Sequence, residues 1–146
     1  MTLQRMDNVL IVVDDLEGAK AFFVELGMEL VGETTVEDPA VARLLGLESI
    51  QATLATLRTP DGHGTIELDK FHTPEPVRLG LDSAPMNTIG MYRIMFAVDD
   101  IDDVFTRLSA HGAEILGEPM QYEDSYRLCY IRGPEGIIVA LAQQLH

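Results

Sequence analysis

At 146 residues, with 47% hydrophobic and 23% charged side chains, the chain has the composition of one folded globular protein rather than a disordered or fibrous one. Its 24 acidic and 10 basic residues give a formal charge of −14, which repels nucleic acid and anionic lipid, so neither is expected as a partner. The single cysteine, Cys129, excludes an internal disulfide, and the N-terminal residues have no apolar leader, so we expect a cytoplasmic protein in which Cys129 is a buried structural thiol.

The chain contains an internal repeat, because residues 8–33 align with residues 93–118 without a gap. Both copies contain the sequence Val-Asp-Asp, followed further along by the pattern Gly-x-Glu-x-x-Gly-Glu. The apolar runs 9–13 and 94–98 that precede Val-Asp-Asp are predicted to be strands. The repeat therefore predicts two modules that begin in the same way.

Each Val-Asp-Asp is followed by a predicted helix. The aspartates supply acceptors for the free N–H groups at a helix start, and Gly27 and Gly112 are typical of helix ends. Apolar residues at helical spacing give each helix one face that packs on a sheet: Leu16, Ala19, Phe22, Phe23 and Leu26 in the first copy, and Ile101, Val104, Phe105 and Leu108 in the second.

The remaining elements complete two similar modules. A short strand follows each helix, at 28–31 and 114–116; the first copy then has a short helix between Pro39 and Gly46, and the second an irregular stretch at 118–124. Hairpins of 50–57 with 65–71 and of 126–131 with 137–142 turn at Pro-Asp-Gly and Pro-Glu-Gly. We therefore predict a single domain of two modules, about 5–71 and about 89–146, joined by a proline-containing linker over about 72–88.

A strand, a helix and three strands used twice, with V-D-D-[LI]-[ED] after the first strand and P-[DE]-G before the last, resembles the vicinal oxygen chelate superfamily of glyoxalases, bleomycin-resistance proteins and extradiol dioxygenases. The resemblance covers nearly the whole chain. It implies an α+β fold in which two tandem βαβββ modules form curved mixed sheets around a cleft. It also implies a divalent metal in the cleft, held by His or Glu from the first and last strands of each module, and a homodimer.

The family's four metal-ligand positions correspond here to Asn8, Glu67, Arg93 and Ala140. A divalent transition metal needs about three or four His or carboxylate ligands, and this set contains one carboxylate. Arg93 is always protonated and cannot be a ligand. Since the histidines also lack ligand spacing, we expect no bound metal and no other cofactor; they are His63, His72, His111 and His146.

Two interpretations of the altered positions remain open. In the first, Glu67 and Arg93 close the former site as a salt bridge; in the second, Arg93 binds an anionic group of a ligand while Glu67 and Asn8 orient it. Tyr122 and Tyr126, with Arg127 nearby, favour a planar ligand, although strand propensity alone also explains tyrosines in this segment.

The sequence thus predicts metal-free binding or sequestration of a small organic molecule, anionic or aromatic, in the cleft between the modules. The first alternative is a metal-dependent lyase, isomerase or dioxygenase of the glyoxalase type whose ligands lie elsewhere. The second is a homodimeric module with a vestigial cleft. The predicted ligand-binding residues are Asn8, Glu67, Arg93, Tyr122, Tyr126 and Arg127.

Overall fold

The computed structural model describes residues 2–145, which divide into two compact units. One unit ends at Val77 and the other begins at Arg78, so the boundary lies within the predicted linker. Each unit contains a βαβββ module with one four-stranded mixed sheet, which confirms the α+β fold class. No helix in the described part of the chain is long and apolar enough to cross a membrane.

The two units share one strand order. The first unit contains β1 (Val9–Val12), α1 (Leu16–Leu26), β2 (Glu29–Val36), α2 (Pro39–Leu45), β3 (Gln51–Arg58) and β4 (Thr65–Thr73). The second contains β5 (Ile94–Ala97), α3 (Ile101–Ser109), β6 (Glu114–Tyr122), β7 (Tyr126–Arg132) and β8 (Ile138–Gln144). The strand orders are β1-β4-β3-β2 in the first sheet and β5-β8-β7-β6 in the second. In each sheet the first and last strands of the module are parallel neighbours, and the other neighbouring strands are antiparallel.

The second aspartate of each Val-Asp-Asp begins the helix. Asp15 accepts a hydrogen bond from the backbone N–H of Gly18, and Asp100 accepts one from that of Asp103. Gly27 caps the end of α1 as predicted, with φ 127°. The prediction that Gly112 caps α3 is wrong: Ala110 takes that position in a right-handed conformation, and the left-handed turn at Gly112 comes two residues later.

The core of each unit lies between its long helix and one face of its sheet. Phe22 and Phe23 of α1 are fully buried and their rings meet edge to face, 5.2 Å apart. In the second unit α3 packs against β7 and β8, where Cys129 is buried as predicted and burial raises the pKa of its thiol. We call the sheet face opposite α1 or α3 the open face of that unit; in the first unit α2 covers part of it.

Two edge strands are longer than predicted. β2 continues to Val36 and β6 continues to Tyr122, so the predicted ends of these strands and the irregular stretch at 118–124 are wrong. In β6 the pairing with β7 shifts between Leu116 and Met120, where a bulge accommodates Gly117 and Pro119. An edge strand tolerates such a bulge, because its outer N–H groups have no partner strand to pair with.

The pairing of the first and last strands is the same in both units. Leu10 stands opposite Glu67 in the first sheet, and Met95 stands opposite Ala140 in the second. Leu10 and Met95 are equivalent in the sequence repeat. The register therefore confirms that Glu67 and Ala140 occupy equivalent positions.

Residues 81–84, which the sequence places in the linker, pack on the Pro-Glu-Gly turn of the second unit. The guanidinium of Arg132 donates to the carbonyl oxygens of Asp82 and Ala84 at 2.9 and 2.8 Å. Gly136 has φ 82°, and a Cβ atom added there would overlap the backbone of Asp82. Gly136 is thus required both by the turn conformation and by the close approach of this segment.

We predict that Gly136→Ala destabilises the protein more than Gly117→Ala. Gly117 also has a positive φ, 74°, but its missing Cβ faces open space, so alanine there adds only backbone strain of about 1 kcal/mol. Gly136→Ala adds the clash with Asp82, for an extra cost of roughly 1–3 kcal/mol. Urea unfolding of the two variants measures the difference, and equal free energies of unfolding would contradict the packing of residues 81–84 on the turn.

Candidate ligand-binding site

Two carboxylates project from the open face of the first unit. Glu67 and Asp69 alternate along β4 with Ile66 and Leu68, which are buried on the side that faces α1. Glu67 is partly buried, whereas Asp69 is only 6% exposed. The sequence predicted a role for Glu67 and overlooked Asp69, although the spacing Glu-x-Asp on a strand is the signal that places both on one face.

Asp69 is held in an unusual electrostatic environment. Burial, the hydrogen bond that its protonated form shares with Glu67, and the charge of Glu67 together raise the pKa of Asp69 to about 7. Its Oδ1 atom is buried and has no hydrogen-bond partner among residues 2–145. A buried acceptor without a donor is costly, so this oxygen is either a stability cost or part of a site that a donor completes.

Arg93 and Asn8 lie at the starts of the two sheets. Asn8 is exposed and directly precedes β1. Arg93 is also exposed and directly precedes β5; its Nε donates to the hydroxyl oxygen of Tyr130 at 2.5 Å, and its guanidinium lies 5.5 Å from the centre of the Tyr130 ring. Tyr130 therefore holds the Arg93 side chain on the open face of the second unit. The salt bridge between Arg93 and Glu67 and the cleft between the modules remain predictions.

Tyr122 and Tyr126 form a stacked pair on the open face of the second unit. The two residues are opposite each other across β6 and β7, their ring centres are 5.6 Å apart, and the ring planes differ by 19°. They are 53% and 37% exposed, so their ring faces are accessible to a ligand. On the same face Met95 is 41% exposed. This face combines aromatic and apolar side chains with the cation Arg93.

Arg127 does not belong to this group. It lies between Tyr126 and Leu128 on β7, so it points to the opposite side of the sheet, where α3 packs. There its guanidinium donates to both carboxylate oxygens of Asp102, at 3.2 and 3.3 Å. The structure thus brings together Arg93, Tyr122 and Tyr126 on one face and separates Arg127 from them.

Comparison with known families agrees with this architecture. The family model of the Glyoxalase/Bleomycin resistance protein/Dioxygenase superfamily matches residues 5–141. The chain belongs to this superfamily. The resemblance seen in the repeat and the turn motifs is thereby confirmed.

Solved structures of the glyoxalase superfamily show the same fold. A glyoxalase family protein from Bacillus cereus is 49% identical, with a TM-score of 0.94 over 100% of this chain and 97% of that one. A fosfomycin resistance protein from Listeria monocytogenes, complexed with Mn(II) and sulfate, has a TM-score of 0.60 at 13% identity, over 97% of this chain and 93% of that one. At such low identity the likeness shows the fold alone. A comparison with curated proteins gave no match.

The superfamily's metal does not fit the residues that this chain places at the ligand positions. Asn8, Glu67, Arg93 and Ala140 offer an amide, a carboxylate, a guanidinium and a methyl group, and a guanidinium repels a cation. Within residues 2–145 no three His, Cys, Asp or Glu side chains are grouped to hold a metal ion. Of the histidines, His72 bonds to Thr53 at 2.8 Å, and His146 lies outside the described residues.

We predict that Asp69 makes stability depend on pH in the direction opposite to an ordinary ion-paired aspartate. Because the folded pKa is about 7 and the ordinary value is 3.8, its contribution is fully present below about pH 4 and is lost as the pH rises through about 7. The free energy of unfolding of the native chain, minus that of Asp69→Asn, should fall by about 1 kcal/mol or more between pH 5 and pH 8.

Urea unfolding at the two pH values measures this difference. Glu48→Gln is the matched control, because Glu48 is an exposed carboxylate in the same unit and its removal changes the net charge equally. A difference that stays constant between pH 5 and pH 8 would show that Asp69 titrates normally.

Proposed function

We propose that this member of the glyoxalase superfamily binds a small organic molecule with an anionic group and an aromatic or apolar body, without a catalytic metal. The binding surface is the open face of the second unit. The observation that carries the proposal is the placement of Arg93, fixed by Tyr130, and of the exposed Tyr122–Tyr126 stack on that one face.

Arg93 supplies the recognition of an anion. Its Nε is used by Tyr130, and a guanidinium has further N–H donors in a planar fork that matches a carboxylate or phosphate. Tyr130 limits the rotamers of the Arg93 side chain, so less conformational entropy is lost when a ligand binds. Arg93 corresponds to one of the superfamily's metal-ligand positions, and it supplies a positive charge without coordination chemistry.

The tyrosine stack supplies the surface for the body of the ligand. Tyr126 and Tyr130 are four residues apart on β7, which corresponds to roughly 13 Å along the strand. Leu128 lies between them on the same face. Met95 lies on that face two strands away, opposite Ala140, which is in turn opposite Tyr130. A ligand whose anionic group reaches Arg93 would therefore extend along β7 over apolar side chains toward the tyrosines.

Binding of biphenyl-4-carboxylate tests this arrangement, with biphenyl-4-methanol as the neutral analogue of the same shape. We expect the carboxylate to bind more tightly, and Arg93→Gln to weaken it by about tenfold or more, because a charge-assisted hydrogen bond contributes roughly 1.5–3 kcal/mol. Tyr122→Leu should weaken both compounds equally, since it removes apolar contact and no charge. Isothermal titration calorimetry with the native chain and both variants measures these affinities.

Arg127→Gln is the control for loss of one positive charge, because Arg127 is bonded to Asp102 on the other side of the sheet. We expect its affinity for the carboxylate to equal that of the native chain. An equal loss in Arg93→Gln and Arg127→Gln would show a general charge effect and contradict the site. Stoichiometric Fe, Zn, Mn or Ni that survives dialysis would contradict the metal-free function and favour an enzyme of the glyoxalase type.

A further inference from the structure

We propose that Glu67 and Asp69 form a binding site for a small organic ammonium ion on the open face of the first unit. This site is independent of the function proposed for the second unit, because it uses other residues and the opposite charge. It rests on a buried, unpartnered carboxylate oxygen and on the side chains that border it.

The unpartnered oxygen is the first argument. Asp69 is 6% exposed, and no donor in the described part of the chain bonds to its buried Oδ1. Buried carboxylate oxygens in folded proteins nearly always accept hydrogen bonds, so an unfilled acceptor is a place where a donor is missing. Glu67, two residues away on the same face, is the more exposed member of the pair and is the group that a ligand meets first.

The flanking side chains are the second argument. Across the β1–β4 pairing Leu10 stands beside Glu67 and Val12 beside Asp69, and these apolar side chains are 47% and 51% exposed. Leu54 stands beside Asp69 on β3. An anionic pair bordered by exposed apolar side chains matches a ligand that has a charged head and a short apolar body.

An ammonium group fits this pair better than a divalent metal ion does. A primary ammonium has three N–H donors, so it can bridge the two carboxylates and also donate to the unpartnered oxygen. A divalent ion requires further oxygen or nitrogen ligands, and within residues 2–145 no third acidic, histidine or cysteine side chain joins the pair. Arg58 lies on the open-face side of β3. It stands opposite Thr65, which is two residues before Glu67, so it is not directly opposite either carboxylate.

Benzylammonium, with benzyl alcohol as its neutral analogue, is a suitable probe. We expect benzylammonium to bind at least about tenfold more tightly than benzyl alcohol, since a hydrogen bond to a charged group contributes about that factor or more. In ¹⁵N spectra the shifted amides should belong to β1, β3 and β4. Benzoate should not shift these amides, because it carries the same charge as the pair.

Asp69→Asn keeps the shape of the side chain and should weaken benzylammonium by about tenfold, while Glu48→Gln should leave the affinity unchanged. Glu67→Gln is the second variant, and it tests the pair even if Asp69→Asn fails to fold. Circular dichroism verifies that each variant is folded.

Equal affinity for benzylammonium and benzyl alcohol would overturn the proposal, because the apolar side chains alone would then account for binding. Displacement of benzylammonium by one equivalent of Mg²⁺ or Mn²⁺ would also overturn it, in favour of a metal ion. Loss of benzylammonium binding in Arg93→Gln would overturn the independence of the two sites, whereas failure of biphenyl-4-carboxylate to bind would leave this proposal intact.

Discussion

One helix packs against one face of each four-stranded sheet, and the alternation of side chains along the strands then assigns every other residue of β4, β7 and β8 to the opposite face. Leu68 is apolar because it packs under α1. Its neighbours Glu67 and Asp69 therefore point to the opposite face of the sheet, away from α1. The same rule directs Arg127 toward α3 and Tyr126 away from it. The arrangement of all candidate functional residues depends on this single packing constraint.

Much of the fold follows from local sequence patterns. The repeat predicts the order of the elements in both modules, the aspartates predict the helix starts, and the equivalence of Glu67 and Ala140 agrees with the strand register. The lengths of β2 and β6 were not predictable in this way. Glycine and proline normally end a strand, and only pairing with the neighbouring strand allows the chain to pass them through a bulge.

The candidate site combines one feature that sequence analysis could have predicted with one that it could not. The separation of Arg127 from Tyr126 follows from adjacent positions on one strand, so strand alternation alone could have predicted it. The environment of Asp69 could not be predicted, because the burial of its oxygen depends on how neighbouring strands and loops pack over it. Strand alternation is a local property, whereas desolvation is a property of the assembled unit.

The first and last strands pair in the same register in both sheets, so equivalent positions can be compared directly. Ala140 and Ala142 stand opposite Met95 and Ala97, just as Glu67 and Asp69 stand opposite Leu10 and Val12. The second sheet therefore demonstrates that this backbone arrangement forms with two methyl groups at the positions where the first sheet carries two acids. The parallel pairing of the first and last strands therefore does not by itself require a carboxylate at either position.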